Sequence, residues 1–250
     1  MYSIENAIFI IARLSSKRVP NKNILDINGI PMISRLHSRL MNSKLADKII
    51  VCTSEDSSDD ILEDYCNKNN ILVGRGSLNN VMERICNVAD FFNVKNIIEV
   101  LGDNPFVDAN LIDFAIRLFN TGKYDYVANY SNDYDHILQS KKFPTGIRVQ
   151  MYSKLSAKCY TKKDINLLSH PSSFLYANPN IFSIKLFGAE NIFSNLSGNE
   201  DLNISVNYPQ NLQFAEYIFK KFGNNVLISD ILRELTLNPD LHKLITQEDE

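Results

Sequence analysis

The residues best suited to chemistry lie in one polar loop near the N-terminus. Its cations and hydroxyls are Arg13, Ser15, Ser16, Lys17, Arg18 and Lys22. Arginine offers paired donors to a phosphate or carboxylate, and lysine offers a compact point charge. Because the whole chain has a net charge of −3, this positive charge is local. The loop predicts an anionic ligand, and the alternative is an ordinary solvated charged loop.

The elements around this loop alternate between strand and helix patterns. Apolar runs predict strands over residues 7–12, 48–53, 71–73, 96–101 and 125–128. Helices are predicted from Pro31, from Ser57 or Ser58, from Ser77 after a GRGS turn, and over 111–119. Strands joined by single helices pair in parallel with right-handed crossovers. We therefore predict an α/β fold: an open, mostly parallel twisted sheet with helices on both faces.

The cationic loop and a second polar loop, residues 102–108, both follow predicted strands. The carboxyl ends of parallel strands share one edge, where ligands of such sheets bind. Residues 130–187 interrupt the alternation, although 147–151 has a strand pattern, and this region is expected to serve the substrate or a subunit contact. A strand over 202–206 and a helix over 209–222 follow. We expect a single domain spanning residues 1–250.

Composition excludes several functional classes. No apolar stretch reaches the roughly 20 residues that span a bilayer, and no secretory signal is visible, so we expect a cytoplasmic protein without membrane contact. The slightly acidic charge gives no support to nucleic-acid binding. The four cysteines form no CxxC pair, and Cys52 and Cys86 lie in apolar patterns typical of buried thiols.

Several segments together resemble one enzyme family. These are ARLSSKRVPNKNILDINGIPMI, VGRGSLNNVMER, VLGDNPFVD, FPTGIRVQMY, SHPSSFLYANP, SVNYPQNL and ISDILRELTLNPDL. They resemble the sugar-activating cytidylyltransferases, above all the spore-coat polysaccharide type, which is related to the acylneuraminate and 3-deoxy-manno-octulosonate enzymes. The resemblance covers nearly the whole chain and implies a Rossmann-like nucleotidyltransferase fold.

The resemblance also implies an activity. A sugar hydroxyl would attack the α-phosphate of CTP, releasing pyrophosphate and forming a CMP-sugar for polysaccharide synthesis. Such chemistry depends on positioning and charge neutralisation. The partners implied are CTP, a small sugar and a second copy of the chain in a homodimer, with Mg²⁺ as the cofactor.

The resemblance assigns roles to particular residues. Arg13, Lys22 and Asp103 would be catalytic, with Asp103 a ligand of Mg²⁺, although Asp before Asn104-Pro105 is also a common turn former. Ser77 is equally well explained as a helix cap. The nucleotide-binding set would be Ala12, Arg13, Ser15, Ser16, Arg18, Lys22, Arg75, Gly76 and Ser77. The substrate set would be Asn104, Arg148, Gln150 and His170.

Four positions depart from the family pattern. Arg148, Gln150 and Ser169 stand where relatives carry acidic residues, and Asn207 replaces a second metal-binding aspartate. An amide oxygen can still ligate Mg²⁺ but brings no charge. One explanation is a changed acceptor, since Arg148 favours a carboxylated or phosphorylated sugar, such as a nonulosonic or octulosonic acid. The others are a catalytically impaired nucleotide-binding subunit, or the same transfer with another nucleotide such as GTP.

Overall fold

The computed structural model describes residues 3–129, 144–159, 172–188 and 202–246. Its strands are β1 (Ile4–Ile11), β2 (Asp26–Ile27), β3 (Ile30–Pro31), β4 (Lys48–Ser54), β5 (Leu72–Gly76), β6 (Val94–Leu101), β7 (Tyr126–Asn129), β8 (Gln150–Ser153) and β9 (Ile184–Phe187). Its helices are α1 (Met32–Leu40), α2 (Asp60–Lys68), α3 (Val81–Phe91), α4 (Ala109–Phe119), α5 (Lys154–Lys158), α6 (Ser173–Tyr176), α7 (Pro209–Phe222) and α8 (Ile228–Leu237). Short 3-10 turns cover Lys22–Ile24, Ser57–Asp59 and Pro239–Leu244.

Seven of these strands form one sheet in the order β5-β4-β1-β6-β8-β7-β9. All of its described pairs are parallel except those of β8, which runs antiparallel to both β6 and β7. Strands β2 and β3 form a separate antiparallel pair. The predicted mostly parallel sheet is confirmed.

Helices cover both faces of this sheet. The side chains of β1 alternate between two cores: Ile8 and Ile10 join a cluster with α1, α2, α4, α7 and α8, whereas Ala7 and Phe9 join a cluster with α3, α5 and α6. Burial on both faces is why β1 has no polar alternation in its sequence. Among the described residues, no helix combines the length and apolar character needed to cross a bilayer.

The adjacency of β1 and β6 brings the two predicted polar loops together. The Gly102 amide donates to the Ile11 carbonyl at 2.8 Å, directly where both strands end. A Cβ at Gly102 would lie 2.6 Å from Asn23 Oδ1 and 2.9 Å from the Ala12 Cβ. Only glycine therefore allows the loop after β6 to approach the loop after β1 this closely.

Three sequence predictions about elements were wrong in detail. The GRGS segment is not a turn, because Arg75 and Gly76 pair with Thr53 and Ser54 inside β5. Residues 202–206 form no strand and contribute only an isolated bridge from Asn203 to Thr145. The strand predicted over 147–151 begins at Gln150 instead.

The predicted cap of the second helix was also wrong. The side chain of Asp56, not Ser57 or Ser58, accepts the Ser58 amide at the start of the 3-10 turn that precedes α2. An N-terminal acceptor satisfies an orphan amide in the same way whichever residue supplies it. The Asp59 side chain caps no amide of α2 and instead bonds to the Leu14 and Ser54 amides.

Candidate active site

The loop after β1, residues 12–22, is called the phosphate loop below. Its backbone is fixed by two side chains from outside β1. The buried carboxylate of Asp59 accepts the Leu14 amide at 2.6 Å and also holds the amide and hydroxyl of Ser54 at the end of β4. Asn23 donates from Nδ2 to the Arg13 carbonyl at 2.9 Å. The backbone is therefore held from two sides.

The cations of the phosphate loop lie at the surface of this fixed backbone. Arg13, Lys17 and Arg18 are all exposed. Arg18 donates to the Tyr208 hydroxyl at 2.9 Å, and its guanidinium carbon lies 4.8 Å from the centre of that ring. This contact joins the phosphate loop to the segment that precedes α7.

Lys22 reaches further than the other cations. Its ammonium donates to Asp103 Oδ2 at 2.7 Å, to the Val206 carbonyl at 3.1 Å and to Asn207 Oδ1 at 3.2 Å. These oxygens of Asp103, Val206 and Asn207 are called the oxygen triad below. The Val206 amide donates in turn to the Asp103 carbonyl at 2.8 Å, which fixes the two segments against each other.

A cavity of about 550 Å³ opens between these groups. Its lining includes most of the residues predicted around the nucleotide, namely Ala12, Arg13, Ser15, Ser16, Arg18, Lys22, Asp103 and Asn207. It also includes Lys17, which sequence reasoning placed in the cationic loop, and residues that sequence reasoning did not select: Ile11, Asn23, Leu78, Asn79, Val81, Arg84 and Leu101. The volume lies in the range of pockets that accept ligands of nucleotide size.

The segment Arg75–Ser77 lies apart from the cavity lining. Arg75 donates to the Ser54 and Asp56 carbonyls and pairs with Asp60 and Glu63 at 2.7 and 2.6 Å. Its guanidinium thus braces α2 against β5, and its contact with a nucleotide stays a prediction. Ser77 accepts the Asn80 amide through its hydroxyl.

The glycines of this segment also have a packing role. A Cβ at Gly74 would lie 2.7 Å from Val88, and one at Gly76 would lie 3.1 Å from Arg84. They let α3 pack closely on β5, which explains a glycine pair that sequence reasoning assigned to a turn. Asn80, which accepts the Glu83 amide at 3.0 Å, caps α3 in place of the predicted Ser77.

On the other side of β6, a buried polar group forms around Glu99. Antiparallel pairing sets Gln150 opposite Glu99, and Gln150 Nε2 donates to Glu99 Oε1 at 3.0 Å. The Tyr152 hydroxyl donates to Glu99 Oε2 at 2.8 Å. Gln150 Oε1 accepts from Tyr126, from Ser172 at 2.6 Å and from Arg148 at 3.0 Å. We call Glu99, Arg148, Gln150, Tyr152 and Ser172 the acceptor wall.

Burial sets the protonation of the acceptor wall. It raises the pKa of Glu99 to about 7, although the charge of Arg148 and the Tyr152 hydroxyl oppose the shift. Burial and the neighbouring Glu99 raise the pKa of Tyr152 well above its usual value. The Glu99 carboxyl therefore gains or loses its proton near neutral pH.

The predicted substrate residues occupy different environments. Arg148 is half-buried, whereas Gln150 is 2% exposed and Asn104 is 3% exposed. Arg148 lies two residues before Gln150, where β8 begins, and donates to Gln150 Oε1 at 3.0 Å. Gln150 thus supports the Arg148 guanidinium through this hydrogen bond, and its contact with a substrate stays a prediction. His170 and Ser169 lie outside the described residues.

Comparison with known proteins decides the family. A family model described as cytidylyltransferase matches residues 7–229. The chain belongs to the cytidylyltransferase family of enzymes.

Individual cytidylyltransferase relatives agree. The spore coat polysaccharide biosynthesis protein SpsF of Bacillus subtilis is 25% identical over 95% of this chain and 97% of its own length. A 3-deoxy-manno-octulosonate cytidylyltransferase of Chlorobaculum parvum is 30% identical over 46% of each chain. The structure of a cytidylyltransferase from Leptospira borgpetersenii shares the fold, with a TM-score of 0.82 and 19% identity over the full length of both chains.

The oxygen triad suits the magnesium that the cytidylyltransferase resemblance implies. Its donors are a carboxylate, a backbone carbonyl and an amide oxygen, all hard ligands of the kind Mg²⁺ takes. Among the described residues, no group of three or more His, Cys, Asp and Glu side chains forms a conventional metal cluster. A divalent ion here would therefore depend on one carboxylate, neutral oxygens and the ligand's own phosphates.

Sequence reasoning missed three buried charged residues of this cytidylyltransferase. Asp59, Arg84 and Glu99 are each at most 1% exposed. Arg84 donates to the Ser77 carbonyl at 3.2 Å from beneath the cavity, and Asp59 holds the phosphate loop. Glu99 did leave a signal, because a single carboxylate inside the apolar run NIIEVL must find buried partners.

The cysteine prediction can be compared with the burial of the thiols. Cys52 and Cys86 are buried, and burial raises their pKa values to about 12 and about 11. Protonated thiols of this kind are inert toward metals and oxidants. The prediction of plain packing roles for these two cysteines is confirmed.

Proposed function

We propose that this protein transfers CMP from CTP to an acidic sugar, releasing pyrophosphate, in the synthesis of a surface polysaccharide. The observation that carries the proposal is the Lys22–Asp103 contact, where a cationic loop and a carboxylate face one cavity. The names of two relatives support the polysaccharide product and the acidic sugar. One is a spore coat polysaccharide biosynthesis protein, and the other is named as a 3-deoxy-manno-octulosonate cytidylyltransferase.

The transfer requires one bond to form and one to break. The sugar hydroxyl oxygen bonds to the α-phosphorus, the bond from that phosphorus to the bridging oxygen of pyrophosphate breaks, and the hydroxyl proton passes to solvent. Arg13 and Arg18 hold the phosphate oxygens as paired donors. Their charge, with that of Lys22, stabilises the negative charge that builds on pyrophosphate as it leaves.

Magnesium is part of the proposal. Asp103 and Asn207 would hold the ion, with the Val206 carbonyl beside them, and a bound Mg²⁺ draws charge from the leaving pyrophosphate. Asp103 would contribute the only formal charge among these three ligands.

The proposal that the acceptor is acidic is supported by Arg148. Its guanidinium is bonded to Gln150 at 3.0 Å, lies 6.0 Å from the centre of the Tyr176 ring and remains partly exposed. A guanidinium held in place in this way matches the two oxygens of a carboxylate.

Pyrophosphate release tests the proposal directly. The enzyme, CTP and Mg²⁺ are incubated with nonulosonic acids, octulosonic acids and, as a control, neutral aldoses. Release is expected only with acids, together with a CMP-sugar of matching mass. Release with GTP but not CTP would transfer the proposal to another nucleotide, and release only with neutral sugars would refute the role of Arg148.

A second candidate is supported by Asn207. A neutral amide in place of a metal-binding carboxylate suits a nucleotide-binding subunit with impaired catalysis. Asn207→Asp separates the two: a large gain in turnover would indicate decay, whereas a loss would indicate a site adapted to asparagine. Binding of CTP is expected in either case.

A homodimer is also proposed. Helices α3 and α5 contact each other, and each exposes a large apolar side chain: Phe91 at 74% and Leu155 at 77%. Leu155 lies within the region predicted for the subunit contact. Sedimentation should give twice the chain mass, and Leu155→Glu should lower it toward that of a monomer.

A further inference from the structure

The ammonium of Lys22 occupies the centre of the oxygen triad. Its distances to Asp103 Oδ2, the Val206 carbonyl and Asn207 Oδ1 lie between 2.7 and 3.2 Å. The lysine side chain is 12% exposed and that of Asp103 is 23% exposed, so the pair is shielded from solvent salt. A divalent ion bound by these oxygens would have to occupy the same space.

The side chain of Asn207 is held with its Oδ1 atom toward the Lys22 ammonium. Its Nδ2 donates to the Ser205 hydroxyl at 2.7 Å, and that hydroxyl donates to Asn203 Oδ1. The amide nitrogen is thus turned away and the oxygen toward Lys22. With one carboxylate and one ammonium, the triad and Lys22 carry no net charge.

We propose that Lys22 is the resident counter-ion of the oxygen triad and that a bound triphosphate withdraws it, so that a divalent cation enters only together with the nucleotide. This rests on the proposed nucleotide transfer. The neutral amide of Asn207 favours the exchange, because the single carboxylate of the triad is already neutralised by Lys22 and attracts a divalent cation less strongly than two carboxylates would.

Charge explains why the nucleotide is needed. Without an anion, a displaced Lys22 would move toward Arg13, Lys17 and Arg18, and like charges would oppose it. A triphosphate neutralises those cations and gives Lys22 a new partner of higher charge than one carboxylate. Metal and triphosphate therefore strengthen each other's binding by the same factor, as linkage requires.

Binding of Mn²⁺, a paramagnetic substitute for Mg²⁺, tests the exchange without catalysis. Free Mn²⁺ is measured by its electron paramagnetic resonance signal, and bound Mn²⁺ by enhanced relaxation of water protons. Wild-type protein alone should bind Mn²⁺ poorly. Lys22→Met should bind it about tenfold more tightly or better, since the competing ammonium is gone.

The matched control is Lys17→Met, which removes the same charge from the same loop but does not contact the triad. It should raise the Mn²⁺ affinity of the protein alone far less than Lys22→Met does, because only Lys22 occupies the oxygen triad. Lys22→Gln serves as a second variant if Lys22→Met does not fold. Equal Mn²⁺ affinity in wild-type and Lys22 variants, or an equal gain in Lys17→Met, would overturn the proposal.

A second measurement separates this proposal from the choice of nucleotide. Inorganic tripolyphosphate and CTP are each added to wild-type protein with Mn²⁺, and CMP is added as a control without a triphosphate. Both triphosphates should produce the relaxation enhancement of a ternary complex, whereas CMP should not. If tripolyphosphate produces the enhancement and CTP does not, the exchange stands and the proposed use of CTP is refuted. If neither triphosphate acts, the exchange itself is refuted.

Discussion

The phosphate loop and the acceptor wall lie on the two sides of β6 and treat their polar groups differently. The phosphate loop has a fixed backbone and exposes Arg13, Lys17 and Arg18. The acceptor wall buries Glu99, Gln150 and Tyr152 and bonds them to one another. Under the proposed function, the first region keeps its donors available for a highly charged ligand, and the second holds a single cation in a fixed position for the sugar.

The largest effect that would test this comparison is expected at Arg13. Arg13→Met should lower kcat/KM for CTP by about 10³-fold, because it removes a fixed donor from the leaving phosphates. Stability should hardly change, since the side chain is exposed. Pyrophosphate release and urea unfolding measure the two quantities, with Arg13→Lys as the variant that keeps the charge. A large loss of stability would show that the phosphate loop is as internally bonded as the acceptor wall.

The next effect is expected at Glu99 and depends on pH. Its folded pKa is raised from 4.5 to about 7, so its contribution to stability is present below pH 4.5 and is lost as the pH rises through 7. The Glu99→Gln variant has no titratable carboxyl at this position, so its free energy of unfolding lacks this pH dependence. Between pH 4.5 and pH 8, wild type should therefore lose about 3 kcal/mol of unfolding free energy relative to Glu99→Gln. Urea unfolding at both pH values measures it, and parallel pH profiles would contradict a buried titrating carboxyl.

Arg148 should give a smaller effect that is confined to the acceptor. Arg148→Met should raise KM for the sugar about 30-fold, consistent with the loss of one charge-assisted contact, and leave CTP affinity unchanged. Arg148→Lys should recover part of the loss. Initial rates at saturating CTP give the sugar KM, and calorimetry gives CTP affinity. An equal effect on both ligands would mean that the two sides do not act separately.

The smallest effect is expected at Tyr208, where the phosphate loop meets α7. Tyr208→Phe removes the acceptor of the 2.9 Å bond from Arg18 but keeps the ring beneath the guanidinium. Since the contact is exposed, we expect a loss of about 0.5 kcal/mol in CTP binding. Titration calorimetry with CTP measures it, and Tyr208→Leu tests the ring. A loss as large as that of Arg13→Met would make the Arg18–Tyr208 contact part of the essential binding machinery.

Local sequence signals predicted the regular part of the fold well. Helix α7 begins at Pro209 and ends at Phe222 as predicted, because proline and an amphipathic repeat are local signals. The strands of the parallel half were also located by their apolar runs. The start of β8 was not, since it depends on hydrogen bonds to β6 and β7, which are distant in the sequence.

The residues of the candidate site also divide into those that local sequence signals predicted and those that they did not. The phosphate loop and its neighbour Asp103 could be predicted because both follow strands whose ends must coincide. The partners of two other predicted site residues depend on distant parts of the chain and could not be predicted locally: Gln150 is buried against Glu99, and Arg75 is bonded to α2. Asp59, which sequence reasoning missed, holds the phosphate loop through its buried carboxylate.

The position of β8 between β6 and β7 has a consequence for how this enzyme could acquire new substrates. Hydrogen bonds hold the strand on both edges, so Arg148 just ahead of it cannot be repositioned by changing the length of a flexible segment. A new acceptor must be reached by replacing side chains on a fixed backbone, one position at a time. The specificity of this half of the molecule is therefore expected to evolve through point substitutions, while the triphosphate half stays constant.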